Sequence, residues 1–294
     1  PEHQAAVALI QSVCKGYTRY GFDIYNSFGL VVVDEVHRMG ADKFSQAMWE
    51  FPALYRVGLS ATPYRKDGKE RVFKAHIGEV EVSTEMETMI PKVIMVDTKW
   101  EVPIVYDWEE QRMAPLFIPW GRMMVAVKHL SKDERRNAIM VNFLRSVVGK
   151  KRNTVVFSDT VDHLKIIAEA CVAAGMPEDI FGWYTGLTSG VYGKVKDGFP
   201  PAREQREQAK LAPICLATYK MCSEATDVPW WDTCILATPK ADVVQPVGRI
   251  RREFEGKQQP LVLDLCDYEH EVTSVFAHKR LSWYESIGAE VVLM

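Results

Sequence analysis

Short apolar runs that end abruptly in polar residues alternate along this chain with stretches whose apolar positions recur every three to four residues. That is the pattern of an α/β protein built on parallel strands. The clearest run is LVVVDEVH at residues 30–37, apolar and β-branched until two carboxylates and an imidazole. It predicts a strand buried on both faces, with Asp34 and Glu35 at its C-terminal end. Ligands of open α/β sheets bind at that edge, so the two acids stand where a metal nucleotide would arrive. A polar cap closing a core strand is the competing account.

Upstream, residues 6–13, with VALIQSV, predict another strand. Downstream, Phe44, Ala47, Met48 and Phe51 fall at the i, i+3, i+4, i+7 positions of an amphipathic helix that Pro52 ends. LYRVGL (54–59) then predicts a strand that delivers Ser60, Ala61, Thr62 and Pro63 to the same sheet edge, and the charged stretch from Arg65 to Arg71, with Gly68, a surface loop. After the acidic EVEVSTEMET a new apolar run, Met89 to Val96, begins, so the expected domains are 1–88 and 89–294. Residues 100–122 show little periodicity. Ser131 with Glu134 matches a capping box before a helix with Ile139, Phe143 and Val147 on one face. TVVF (154–157), the turn Ser158, Asp159, Thr160, and a helix with Leu164, Ile167, Ala168 and Cys171 inward follow, with Gly175 as its stop. FGWY (181–184), a polar helix from Ala202 to Lys210, ICLAT ending at Thr218, CILAT (234–238) and LVLDL (261–265) close the strand and helix rhythm.

A chain of 294 residues, 47% hydrophobic, can supply a core for each of two domains. Its formal net charge of -3 gives no basic signature, so nucleic-acid contact must come from a local patch. Six cysteines, scattered without a CxxC pair, predict reduced core thiols and neither a disulfide frame nor a zinc site. No apolar stretch reaches membrane-spanning length and no signal peptide is visible, so a cytoplasmic monomer without membrane contact is expected. The sequence begins at Pro1, and further sequence is expected upstream.

Three further stretches belong with DEVH: SATP at 60–63, ATYKMCSEATDVP at 217–229 and QPVGRIRR at 245–252. In this order they resemble motifs II, III, V and VI of the superfamily 2 helicases. The phrases GLVVVDEVHRMGA and VGLSATPYRKDG are similar to the XPB-type and phage branch-migration (UvsW-like) subgroup. The resemblance implies two RecA-like parallel-sheet domains, the first truncated at its N-terminus. It implies an ATP-dependent DNA helicase or translocase of repair or recombination, acting on single-stranded, forked or branched DNA and using ATP and Mg2+ in the interdomain cleft. A phage-encoded copy would work in the host cytoplasm. RNA stays open as a substrate, as do a non-catalytic binding module and the motor segment of a restriction enzyme.

Phosphoryl transfer to water needs a metal-binding carboxylate, a group that orients water, and cations on the γ-phosphate. The resemblance gives Asp34 the Mg2+, Glu35 the water, and His37 a link from the nucleotide to motif III or VI, against the alternative of a plain surface histidine. In motif VI it gives Gln245, Arg249 and Arg252 to catalysis and Gly248 to nucleotide binding. Arginines three apart on a helix share a face, though Arg251 and Lys257 nearby also fit a solvated basic cluster. Ser60 and Thr62 would couple hydrolysis to domain position, with a helix cap competing for Thr62. In motif V, Thr218 would hold the nucleic-acid backbone and Asp227 the ribose or the other domain; Ala225 departs from the family's usual Gly. Ser158, Asp159, Thr160, Thr185 and Gly186 are the further nucleic-acid candidates, at helix starts that can take phosphate. GVYGKVKDGFPP reads more readily as a surface insertion than as a stacking loop, and Trp230 and Trp231 as packing. No Walker A loop, GxxxxGK[ST], is present: Lys69, Lys150, Lys194 and Lys257 follow a Gly, but none precedes Ser or Thr. The chain by itself is therefore expected to hydrolyse ATP poorly.

Overall fold

The computed structural model describes residues 5–14, 21–37, 48–60, 70–80, 82, 88–107, 111–115, 123–185, 202–222 and 228–294. The chain divides into two units, Pro1–Glu85 and Met86–Met294. Phe44, Ala47, Thr62, Gly186, Ala225, Asp227 and the loop at 190–201 lie outside the described residues.

In the first unit, helices α1 (Ile10–Val13) and α2 (Phe22–Asn26) precede strand β1 (Leu30–Val33), which pairs in parallel with β2 (Tyr55–Gly58). Helix α3 (Glu70–Ile77) follows. Val31 and Val33 pack on a cluster of Val36, Met48 and Phe73, joined by Ile10 and Ile77. Leu30 and Val32, 52% and 54% exposed, point the other way, so β1 is open on one face and not buried on both. Four consecutive apolar residues carry no polar mark to show which face a strand leaves open. VALIQSV was expected as a strand; instead its second half is α1, because a short apolar run fits either element. Arg71, expected in a loop, lies in α3, whose Phe73 and Ile77 sit i, i+4 on the packed face. The Arg56 guanidinium fastens β2 by donating to the carbonyls of Phe51 (2.8 Å) and His76 (3.4 Å).

The second unit starts with β3 (Lys92–Asp97) and an antiparallel hairpin, β4 (Ile104–Asp107) with β5 (Arg112–Pro115), in the stretch that showed no periodicity. Then come α4 (Met123–Leu130), α5 (Glu134–Gly149), β6 (Thr154–Ser158), α6 (Val161–Ala173), β7 (Phe181–Tyr184), α7 (Ala202–Ala209), β8 (Ile214–Thr218) and α8 (Tyr219–Cys222). The last elements are β9 (Thr233–Leu236), α9 (Val244–Ile250), β10 (Leu261–Cys266), α10 (Glu271–Ser286) and β11 (Glu290–Leu293). Seven strands form one sheet in the order β11-β3-β10-β9-β6-β8-β7, every neighbouring pair parallel. Strand alternation feeds two apolar layers: Val155 and Phe157 enter one with Met95, Trp231 and Val262, and Val156 the other with Leu144, Leu164 and Ile167. Each such side chain contributes roughly 1.5–3 kcal/mol on burial. The pattern runs past LVLDL because α10 buries Arg280 and Tyr284 beside Val272 and Ala277, which an apolar count does not register.

Two carboxylates on β10 and just after it hold buried arginines. Arg280 donates twice to Asp264, at 2.8 Å each, and Tyr284 donates to the same carboxylate at 3.0 Å. Arg136, in the first turn of α5, donates to Asp267 at 3.0 and 3.3 Å and to the carbonyl of Ala237. The Thr98 hydroxyl donates to Asp267 at 2.5 Å, drawing the ends of β3, β9 and β10 together. The cap of α5 is Asp133, which accepts from the Arg136 amide at 2.7 Å; Ser131, expected in that role, donates to the Lys128 carbonyl. The buried face of α5 is Arg136, Asn137, Met140, Val141, Leu144 and Val147, so Ile139 and Phe143 lie at its margin. Polar residues in the first turn rotate the face away from the apolar stripe.

Helix α6 starts as expected and is followed, just past its cap Ala174, by Gly175, whose φ of +87° suits a residue without Cβ. Gly182 on β7 is required by close approach: a Cβ there would lie 2.4 Å from the Ala209 carbonyl oxygen of α7. Under the β6 to α6 turn, His163 is fully buried, with Nδ1 3.2 Å from Ser158 Oγ and Nε2 3.2 Å from Asn137 Oδ1. Burial, and then the Arg136 charge, hold its pKa down to about 3. As pH falls below ~6.5 the unfolded chain therefore takes up this proton first, and the stability His163 contributes is lost on the way down to about 3. From about pH 7 to about pH 5 that loss is about 2 kcal/mol. His163→Gln is expected to shrink the pH 7 to pH 5 difference in urea-unfolding free energy by ~2 kcal/mol; an unchanged difference would clear His163 of this role.

Candidate functional site

The parallel ladder of β1 and β2 continues past the last strand residues. The Leu59 amide donates to the Val33 carbonyl at 2.8 Å, and the Val36 amide donates to the Leu59 carbonyl at 2.9 Å. The turn carrying Asp34 and Glu35 is thereby tied to the residue before Ser60. His37 Nδ1 lies 2.9 Å from Ser60 Oγ and 3.3 Å from Glu35 Oε2. A carboxylate only accepts, so the Glu35 contact calls for a proton on Nδ1, shared with Ser60 Oγ. Asp34 is exposed, and its Oδ1 accepts the Glu35 amide at 2.9 Å. Glu35 itself has φ +52°, a left-handed conformation that costs a residue with Cβ roughly 1–3 kcal/mol and clusters at functional sites. The half-open Glu35 carboxylate, 42% exposed, is thus held by backbone geometry on one side and an imidazole on the other. Gly58 leaves room for the turn: a Cβ there would stand 3.0 to 3.2 Å from the Val36 side chain.

Among the described residues no three His, Cys, Asp or Glu side chains converge on a point that could hold a metal ion. An exposed lone carboxylate such as Asp34 suits Mg2+, which takes one or two protein carboxylates and keeps several waters or phosphate oxygens.

In the second unit, Gln245, Gly248 and Arg249 lie on α9, but Arg252 does not: the helix ends at Ile250 and Arg252 forms an antiparallel bridge with Thr88. The expectation that Arg249 and Arg252 share a helix face therefore fails, because the chain turns extended to meet residue 88. Nor is Arg251 part of a solvated cluster. Its Nε donates to the Met89 carbonyl at 3.2 Å and its NH2 to Thr88 Oγ1 at 2.7 Å. Lys257 donates at 2.7 Å to the carbonyls of both Pro229 and Arg252. Burial, opposed by Asp232 and aided by Arg252, holds its pKa down to about 8.

The candidates for nucleic-acid contact are unevenly placed. Ser158 and Thr185 are buried, and Thr160 accepts the His163 amide as the cap of α6. Asp159 accepts Thr238 Oγ1 at 2.9 Å and lies 2.5 Å from Lys240 Nζ, which also sits 5.1 Å over the Tyr219 ring. Thr218, at the end of β8, is half-buried opposite Ser158. Trp231 is buried, and it and Trp230 donate to the Lys210 carbonyl, so both pack. The roles of Arg251, Lys257 and Lys240 were missed by sequence reasoning, since a lysine or arginine to which no motif role is attached looks like any surface cation. Cys171, Cys215, Cys234 and Cys266 are buried thiols. No helix of the described residues is long and apolar enough to cross a membrane.

Residues 2–65 match the family model of the type III restriction enzyme res subunit. L396 of Acanthamoeba polyphaga mimivirus, named provisionally as an ATP-dependent RNA helicase, is 25% identical over 97% of this chain and 51% of its own length. The DNA 3'-5' translocase XPB2 of Sulfurisphaera tokodaii is 32% identical over 90 residues, 31% of this chain and 20% of that protein. Among solved structures, the ATP-dependent type ISP restriction-modification enzyme LlaBIII bound to DNA superposes with a TM-score of 0.55 at 14% identity, covering 97% of this chain and 23% of that one. The chain spans about half the length of the curated relatives that match most of it. The shared fold is the RecA-like fold of helicase motors, a mixed α/β arrangement with the seven-stranded parallel sheet described above. With motifs II, III, V and VI in their expected order, these likenesses are to helicases and restriction-type motors, and the chain resembles superfamily 2 of the helicases.

Proposed function

We propose that this chain is the motor segment of an ATP-dependent DNA helicase or translocase that works on single-stranded, forked or branched DNA. Residues 1–88 and 89–294 are its two RecA-like domains in this reading. The observation that carries it is the Glu35, His37 and Ser60 contact, since it joins the two motifs that hydrolysis and domain movement would have to link.

Asp34 would hold Mg2+, which supplies charge neutralisation on the phosphates when bound. Glu35 would accept a proton from the attacking water, its carboxylate kept in place by the left-handed backbone. His37, protonated at Nδ1, would transmit a shift of Glu35 to Ser60 and so to the segment holding Thr62. Gln245, Arg249 and Arg252, with Gly248 giving close backbone approach, would bring motif VI to the γ-phosphate. Thr218, Asp227, Gly186 and the amides around Thr160 would take the nucleic-acid backbone or the ribose, a mode that suits a chain of net charge -3. The name of the mimiviral relative favours RNA and that of XPB2 favours DNA. The restriction-type family match and the LlaBIII fold also support a second reading, the motor segment of a restriction enzyme, which a nuclease domain elsewhere in the gene product would mark.

Three outcomes are expected. In the complete gene product, Glu35→Gln should lower nucleic-acid-stimulated ATP hydrolysis by about 10²-fold or more with nucleotide affinity kept, and equal turnover would remove Glu35 from its role. Gly58→Ala should push Val36 aside and cut hydrolysis by about tenfold, at a stability cost of roughly 1–3 kcal/mol; full activity would show that the turn tolerates displacement. The 294-residue chain alone, without a Walker A loop, should turn over ATP at background rate, and robust DNA-stimulated turnover would refute that. Comparing forked DNA, four-way junctions and RNA duplexes with the complete product decides the substrate.

A further inference from the structure

Arg252 is the residue of motif VI whose surroundings the sequence describes least. It lies beyond the end of α9, and its backbone is fixed from two sides. On one side Thr88 bridges it, the Met89 amide donates to the Arg251 carbonyl at 2.8 Å, and the Arg251 guanidinium reaches back to Thr88 Oγ1 and the Met89 carbonyl. On the other, Lys257 donates to the Arg252 carbonyl and to that of Pro229, at the end of motif V. Thr88 and Met89 are among the first residues of the second unit, where the chain arrives from the first.

We propose that Arg251 is a positioning residue: by gripping Thr88 and Met89 it makes the placement of Arg252 depend on the segment through which the chain enters the second unit. A guanidinium is suited to this, because its fork holds two acceptors in one plane while staying charged at any working pH. Tension or rotation in the connecting segment would then be felt at the backbone of Arg252. Movement of Arg252 on engaging a nucleotide would be returned to the connection. Lys257 supplies the fixed point against which that movement works, through the end of motif V. This inference rests on the proposed motor function and on Arg252 acting in it.

The test uses the complete gene product with Arg251→Met, Thr88→Val, the double variant, Arg251→Lys and, as reference, Arg252→Ala. Expected is a kcat for DNA-stimulated ATP hydrolysis about tenfold lower in Arg251→Met with KM for ATP within about twofold, since the residue acts on placement and not on binding. Thr88→Val should lose less. The double variant should be no worse than Arg251→Met, because both remove the same link, and Arg251→Lys, which keeps a donor for Thr88 Oγ1, should recover part of the rate. An unchanged kcat in Arg251→Met, losses that add in the double variant, or kcat and KM shifting together with the melting temperature would each overturn the proposal. If Arg252→Ala loses hydrolysis while Arg251→Met keeps it, only the coupling fails. If Arg252→Ala keeps full hydrolysis, the motor reading of motif VI fails and takes the coupling with it.

Discussion

A parallel sheet sends every strand's C-terminal end to one edge, and that constraint governs this protein. In the second unit it brings the ends of β3, β10, β9, β6 and β8 side by side, with Asp97, Asp267, Thr238, Ser158 and Thr218 at or just past them. Polar groups crowded at such an edge need partners, and the fold provides them from below. Asp267 is neutralised by Arg136, and Asp264, deeper in the same strand, by Arg280. Buried pairs of this kind add little net stability against an apolar substitute, but losing one partner strands a charge, so they fix which side chains sit where. The first unit obeys the same constraint with two strands, where the ladder beyond Val33 and Gly58 brings Glu35, His37 and Ser60 together.

Most of the central strands were legible in the sequence because each is a short, mostly apolar run cut off by polar residues. LVVV, LYRVG, TVVF, ICLAT and LVLDL all appear as strands, and α6 has the inward face its spacing predicts. Legibility failed where burial is polar. The inner face of α5 includes Arg136 and Asn137, and that of α10 includes Arg280, so a reader looking for apolar stripes either misplaces the face or stops before the helix. It also failed for short runs such as VALIQSV, where four helical residues and four strand residues present the same letters.

For the site, motif spacing singled out Asp34, Glu35, His37, Ser60, Arg249 and Arg252 as candidates but said nothing about what holds them. The left-handed backbone at Glu35 leaves no compositional trace, since glutamate is not a residue that announces it. Ser158 and Thr185 were candidates for nucleic-acid contact at polar loop starts, yet both are buried, Ser158 Oγ beside His163 of α6. Thr62, Gly186 and Asp227 lie outside the described residues. What the sequence could not express is contact between distant residues, such as Arg251 with Thr88.

Gly182 carries one more consequence. The backbone of α7 rests against β7 so closely there that no side chain fits, which fastens the two elements flanking residues 185–201 to each other. Whatever the intervening stretch does, its two attachment points keep a fixed separation. A side chain introduced at residue 182 would therefore loosen two elements at once, at the edge of the sheet that carries motifs V and VI.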